Sequence, residues 1–168
     1  IPTLDKFLQH RVQVVIVGSG DPSLAAQLQA IAQQHPEKFV FINAYDDRLA
    51  HLVEAGADFF LMPSLFEPCG LNQMYSLAYG TLPLVRAVGG LKDTVVDWDA
   101  DPEHATGFCF NGPTASTLLD AMRRSLIHYL QEPERFARIQ HNAMNTRFDW
   151  AGSVPLYEQM YRDALAGT

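Results

Sequence analysis

The residues best placed for chemistry lie in Pro63–Gly70, PSLFEPCG, where Glu67 stands between a Pro-Ser turn and a Pro-Cys-Gly turn. A helical pattern follows at once, and the first N–H groups of such a helix point back at the loop. An anion such as a phosphate suits that end, favoured by the free amides and the helix dipole. Gly70 has no Cβ, so a ligand can approach the backbone, and Leu71 and Asn72 offer further N–H donors. Glu67 beside them suits hydroxyls of the kind sugars carry. The plain alternative makes Glu67 a surface acid near a helix start and Cys69 a small buried residue. The crowding of Pro, Glu, Cys and Gly in one short loop weighs against it.

Three further stretches compete for a ligand. Gly18–Pro22, GSGDP, puts Gly18 and Gly20 after an apolar run. The pattern is GxGxP, not GxGxxG, and a tight strand-to-helix turn is the better reading of it. Tyr45 lies just past a second apolar run, where it can stack on a flat base or pack on the neighbouring helix. Spacing alone favours packing. Val88–Gly90 gives another Gly-rich turn, which either approaches the same ligand or only permits a bend. The histidines 10, 35, 51, 104, 128 and 141 form no metal-binding pattern, so no metal site is expected. Cys69 and Cys109 form no CxxC. Reduced thiols are the preferred reading and a disulfide is the alternative.

The elements that must position these residues alternate. VQVVIVG reads as a strand apolar on both faces, as in a buried parallel sheet. A helix over about Ser23–Gln34 follows, with Asp21 as N-cap, Pro22 in its first turn, and Leu24, Leu28 and Ile31 on one face. KFVFINAY is a second strand. DDRLAHLVEAGA is a helix with Leu49, Leu52 and Val53 inward and Gly56 as C-cap. DFFLMPS is a third strand, followed by the Glu67 loop and a helix from about Gly70 to Tyr79. LPLVRA and ATGFCFN are further strands, with a short helix between them after the Gly-Gly turn. The rest is helical, ending in an amphipathic helix over Val154–Ala166. This alternation predicts an α/β, doubly wound parallel sheet whose ligands bind at the carboxyl ends of strands.

The 168 residues suffice for one domain with a sizeable core. At 48% hydrophobic and 18% charged, the composition excludes disorder. No apolar run is long enough to span a bilayer, and no signal-peptide pattern opens the chain. The formal charge of −7 is scattered and no basic patch stands out, which argues against nucleic acid as a partner. The chain opens at Ile1 on what reads as the tail of a helix, so an N-terminally trimmed or excised domain is expected.

Taken together, PSLFEPCGLNQMYSLAYGTLPLVRAVGGLKDTV, the preceding GSGDP and YDDRLAHLVEAGADFFLMPS, and the closing RFDWAGSVPLYEQMYRDAL resemble bacterial glycogen synthases and plant starch synthases, across nearly the whole chain. The resemblance implies the C-terminal, Rossmann-like half of a GT-B fold with extra C-terminal helices. It implies a cytoplasmic enzyme that transfers glucose from ADP-glucose to the non-reducing 4-OH of an α-1,4-glucan with retention. UDP-glucose is the alternative donor. It implies that Glu67 and Cys69 lie on the sugar side, and that the Gly70, Leu71 and Asn72 backbone holds phosphate. Tyr45 would stack on adenine, with Gly18 and Gly20 in the nearby turn. Tyr75 stands where many wider relatives carry a second acid that holds the ribose, so ribose contacts must differ. Asn72 stands where some bacterial members have Thr. No metal cofactor is implied. The family's phosphate-neutralising Arg and Lys, and its whole N-terminal domain, match nothing from Ile1 onward, so this chain alone is expected to be inert.

Overall fold

The computed structural model describes residues 2–167; Ile1 and Thr168 lie outside the described residues. The elements run α1 (Pro2–Phe7), β1 (Val14–Val17), α2 (Pro22–Gln34), β2 (Phe39–Ile42), α3 (Asp47–Gly56), β3 (Phe59–Met62), α4 (Asn72–Tyr79), β4 (Leu82–Arg86), α5 (Gly89–Thr94), β5 (Phe108–Phe110), α6 (Ala115–Gln131), α7 (Pro133–Asn145) and α8 (Trp150–Ala166). All strand pairs are parallel, as the α/β alternation requires.

The strands form two ladders, β1-β2 and β3-β4-β5, and no ladder among the described residues joins β1 to β3. In this respect the single sheet expected from sequence is not seen. β4 has the character of a central strand. Leu82 and Leu84 bury into a cluster with Trp98, Phe108 and Ile139, while Val85 packs on the other face with Leu91 and Val95. β1 does not. Val14 and Ile16 pack with Leu8, Ile31 and Phe39, but Val15 and its register partner Val40 are exposed. The second face of the β1-β2 ladder is only partly covered, which corrects the expectation of a strand buried on both faces.

Local chemistry explains most boundaries. Asp21 Oδ1 accepts from the N–H groups of Ser23 (2.8 Å) and Leu24 (3.0 Å), and Pro22 takes the first helical position. Ile31 is buried and Leu28 packs beside it, but Leu24 is exposed at the N-terminal end. In α3, Leu49 and Val53 are partly buried, whereas Leu52 is 60% exposed and the buried residue is Glu54. Gly56 is the last helical residue, and the cap is Ala57 in extended conformation. α4 begins at Asn72, with Leu71 as N-cap, and closes on Gly80. α8 begins at Trp150, earlier than expected, because Asp149 caps it and Pro155 lies inside the helix instead of opening it. No helix among the described residues is long and apolar enough to cross a membrane.

Candidate functional site

The carboxyl end of β3 leads into the Glu67 loop, which is fastened on three sides. From β4, Arg86 Nη1 donates to the carbonyl oxygens of Ser64 (3.0 Å) and Leu65 (2.9 Å). From α4, the fully buried Gln73 donates through Nε2 to the carbonyls of Cys69 (3.1 Å) and Gly70 (2.9 Å), and to Thr94 Oγ1 (3.2 Å). From α5, the N–H of Gly90 donates to the carbonyl of Glu67 (3.2 Å). A Cβ on Gly89 would collide with the carbonyl oxygen of Glu67, and one on Gly90 with that of Cys69. The Gly-Gly pair is therefore the seat of the loop, a use that neither sequence reading of it anticipated. Gly70 has φ 73°, and the room left by its missing side chain is occupied by the Gln73 amide, not open to a ligand on that side.

On this seat Glu67 is half-buried, and its Oε2 accepts from Ser64 Oγ (3.3 Å). No lysine, arginine or histidine among the described residues is within ion-pair distance of it. Leu65, Phe66 and Cys69 are exposed. Cys69 and Cys109 are both free thiols, which sets aside the disulfide and the buried reading of Cys69. Burial, and then the charge of Asp97, push the Cys109 thiol up to about 12. α4 starts at Asn72 with no side chain capping it, so its first-turn amides face the loop end.

A cleft of about 220 Å³ lies between the ends of β1 and β2 and the helices α3 and α4. It brings together Gly18, Tyr45, Asn72 and Tyr75 with two residues not singled out as ligands, His51 and Glu54. Tyr45 is 90% exposed, so it does not pack on the helix as spacing favoured. The His51 ring lies 5.2 Å from that of Tyr75, and its Nδ1 is 3.2 Å from Tyr79 Oη. Glu54 is 3% exposed with Oε1 unpartnered among the described residues. Burial pushes its carboxyl up to about 7, against the opposing pull of the Ser76 backbone N–H. Asp46, which caps α3 through the N–H of Leu49 (2.9 Å), and Asp47 also line the cleft. Carboxylates here oppose a diphosphate and suit an uncharged, hydroxyl-bearing group.

Of the residues expected from sequence, Gly18, Tyr45, Asn72 and Tyr75 share this cleft. Gly20 and Leu71 do not line it, and Glu67, Cys69 and Gly70 stand on the neighbouring loop. Gln73 and Arg86 were missed. The only signal for Arg86 was a charge closing an apolar strand, and for Gln73 a polar residue in a buried helix.

The model of the family described as glycosyl transferases group 1 matches residues 1–145. Two Aeromonas proteins named glycogen synthase, from A. salmonicida and A. hydrophila, are each 83% identical over 99% of this chain. One from Photobacterium profundum is 59% identical over 96% of it. The chain spans about a third of the length of these relatives (34%, 34% and 32%). Among solved structures, the catalytic domain of starch synthase IV from Arabidopsis thaliana, bound to ADP and acarbose, superposes with a TM-score of 0.84 at 31% identity. That match covers 98% of this chain and 35% of that one. Sucrose-phosphate synthase from Thermosynechococcus elongatus gives 0.67 at 26% identity, covering 99% and 42%. With a parallel α/β architecture, a glycine-seated acidic loop and a match over most of its length, the chain belongs to the group 1 glycosyl transferases.

Proposed function

We propose that this chain is the C-terminal, nucleotide-sugar-binding domain of a glycogen synthase. The parent enzyme transfers glucose from ADP-glucose to the non-reducing 4-OH of an α-1,4-glucan with retention. The observation that carries this reading is the 83% identity, over nearly the whole chain, to relatives named glycogen synthase. The ADP and acarbose bound in the starch synthase structure support the donor and acceptor.

In this reading the α4 start, at Gly70, Leu71 and Asn72, faces the diphosphate. The acid-lined cleft holds the nucleoside between Gly18, Tyr45 and Tyr75, with Gly20 in the adjoining turn. Glu67 and Cys69 meet the glucose. In the transfer, the bond between C1 and the phosphate oxygen breaks and the electron pair leaves with ADP. The acceptor oxygen attacks C1 from the same face, and its proton passes to a leaving-phosphate oxygen. Glu67 orients the hydroxyls of an oxocarbenium-like sugar and does not attack it. Helix-end amides stabilise the charge on the departing phosphate. No metal is needed if an arginine and a lysine from elsewhere in the protein share that work.

The parent protein would supply an N-terminal domain closing over this face. Two features support a partner segment. The ladders β2-β1 and β3-β4-β5 are not joined to each other, which agrees with the doubly wound order 3-2-1-4-5-6 if its first strand comes from another segment. The α8 helix has no buried residue, and Leu156, Tyr157, Met160 and Tyr161 are exposed on it. Free thiols suit a reducing, cytoplasmic setting.

The test is glucosyl transfer to glycogen by the full-length protein with ADP-glucose, alongside residues 1–168 alone. Activity is expected from the first and none from the second. Thermal-shift titration should show stabilisation by ADP at concentrations where UDP has little effect. A stronger response to UDP would move the assignment to a UDP-glucose enzyme.

A further inference from the structure

Arg86 closes β4, and its guanidinium reaches both neighbouring strand ends. Nη1 donates to the carbonyls of Ser64 and Leu65, just beyond β3, and Nε to that of Asn111 (3.3 Å), just beyond β5. One side chain thus ties together the carboxyl ends of three adjacent strands, the edge at which α/β sheets bind ligands. Among the described residues no carboxylate is within ion-pair distance of it, so these carbonyls are its partners. Bonds from a charged donor are stronger than neutral ones, and the planar fork fixes their directions. A lysine ammonium, a point charge on a flexible stem, does not reproduce that geometry.

The position of the tie matters more than its strength. Gln73 and Gly90 hold the loop at Glu67 and beyond it, through the carbonyls of Glu67, Cys69 and Gly70. Arg86 holds it before Glu67, at Ser64 and Leu65, and Ser64 Oγ in turn donates to the Glu67 carboxylate. Without Arg86 the entry to the loop is free, and the Gly90–Glu67 bond that follows it opens more often. The Glu67 side chain then swings about the Gly-Gly seat.

We propose that Arg86 is a positioning residue for Glu67, acting through the Ser64–Leu65 backbone and not by touching the sugar. This rests on the reading of Glu67 as the sugar-orienting acid. A displacement on the order of 1 Å at a reacting centre costs about 100-fold in rate, so the effect should appear in kcat.

The experiment compares Arg86→Ala and Arg86→Lys in the full-length enzyme. Both should lower kcat roughly 10- to 100-fold, with KM for ADP-glucose and Kd for ADP within about two-fold of the parent. Millimolar ethylguanidinium should restore part of the Arg86→Ala rate and none of the Arg86→Lys rate. Amide exchange at Gly90, whose N–H is bonded to Glu67, should accelerate in both variants. A kcat within two-fold of the parent overturns the proposal. So does a rate loss matched by lost ADP binding with no rescue, which is the mark of general structural damage. Unchanged exchange at Gly90 overturns it independently of turnover. If the unsubstituted enzyme transfers no glucose, the functional reading fails, while Gly90 exchange still decides whether Arg86 holds the loop.

Discussion

The N–H of Gly90 donates to the carbonyl oxygen of Glu67 at 3.2 Å, and the place of a Gly90 side chain is already filled by the carbonyl of Cys69. The backbone of the acidic loop lies directly on the glycine pair, with no side chain between them. Gly90→Ala must push the loop off this seat. We expect kcat of the full-length enzyme to fall at least ~100-fold and thermal unfolding to drop by several degrees, about the effect of 1–3 kcal/mol of overpacking. Steady-state kinetics and calorimetry on the same preparation check both.

Glu67→Gln tests the acid itself. The amide keeps the shape and loses the charge, so kcat should fall by most of its value while Kd for ADP changes little. Titration calorimetry with ADP separates the two effects. A near-normal kcat would remove Glu67 from the catalytic set.

Tyr45 is the most exposed large hydrophobic residue among those described, and it lies at the cleft that also holds Tyr75. If it stacks on the base, Tyr45→Ala should weaken ADP binding by roughly 1–3 kcal/mol, with protein stability unchanged because the ring has no packing to lose. Tyr45→Phe should bind like the parent. Equal Kd values for the alanine variant and the parent would place the base elsewhere.

Much of this was legible in the sequence because its causes are local. Asp21 and Pro22 announce α2 by chemistry that spans three residues. Glu67, Pro68 and Gly70 marked the loop by composition alone. What could not be read depends on distant pairs. Arg86 meets Ser64 across 22 positions and Gln73 meets Thr94 across 21, and nothing in either neighbourhood encodes the other. Periodicity also misled at α3. It placed Leu52 inward because leucine is apolar, whereas the helix buries Glu54 and leaves Leu52 in solvent.

That inversion has a pH signature. The Glu54 carboxyl sits near 4.5 when unfolded and is raised to about 7 in the fold. A raised acid favours the folded state only while protonated, so the Glu54 contribution to stability is full below pH 4.5 and is lost as pH rises towards and through 7. The loss by pH 8 is about 3 kcal/mol. Glu54→Gln should therefore stabilise the chain at pH 8 by an amount of that order and change little at pH 4.5. Urea denaturation at the two pH values measures it, and a gain of equal size at both would refute the assignment.

β5 is the last strand of its ladder, yet its outward backbone is not bare. Arg124 takes the carbonyl of Cys109 (3.0 Å), and the Asp97 carboxylate takes the N–H of the same residue. Arg124 and Asp97 are themselves joined at 2.7 Å. Burial alone would raise the Asp97 carboxyl, but the bonds from Arg124 and from the Cys109 and Asp99 amides hold it below its ordinary value, so it stays ionised at neutral pH. Two oppositely charged side chains thus occupy the hydrogen-bonding positions that another molecule's strand would seek. This denies neighbouring copies a template for growing the sheet from one molecule to the next.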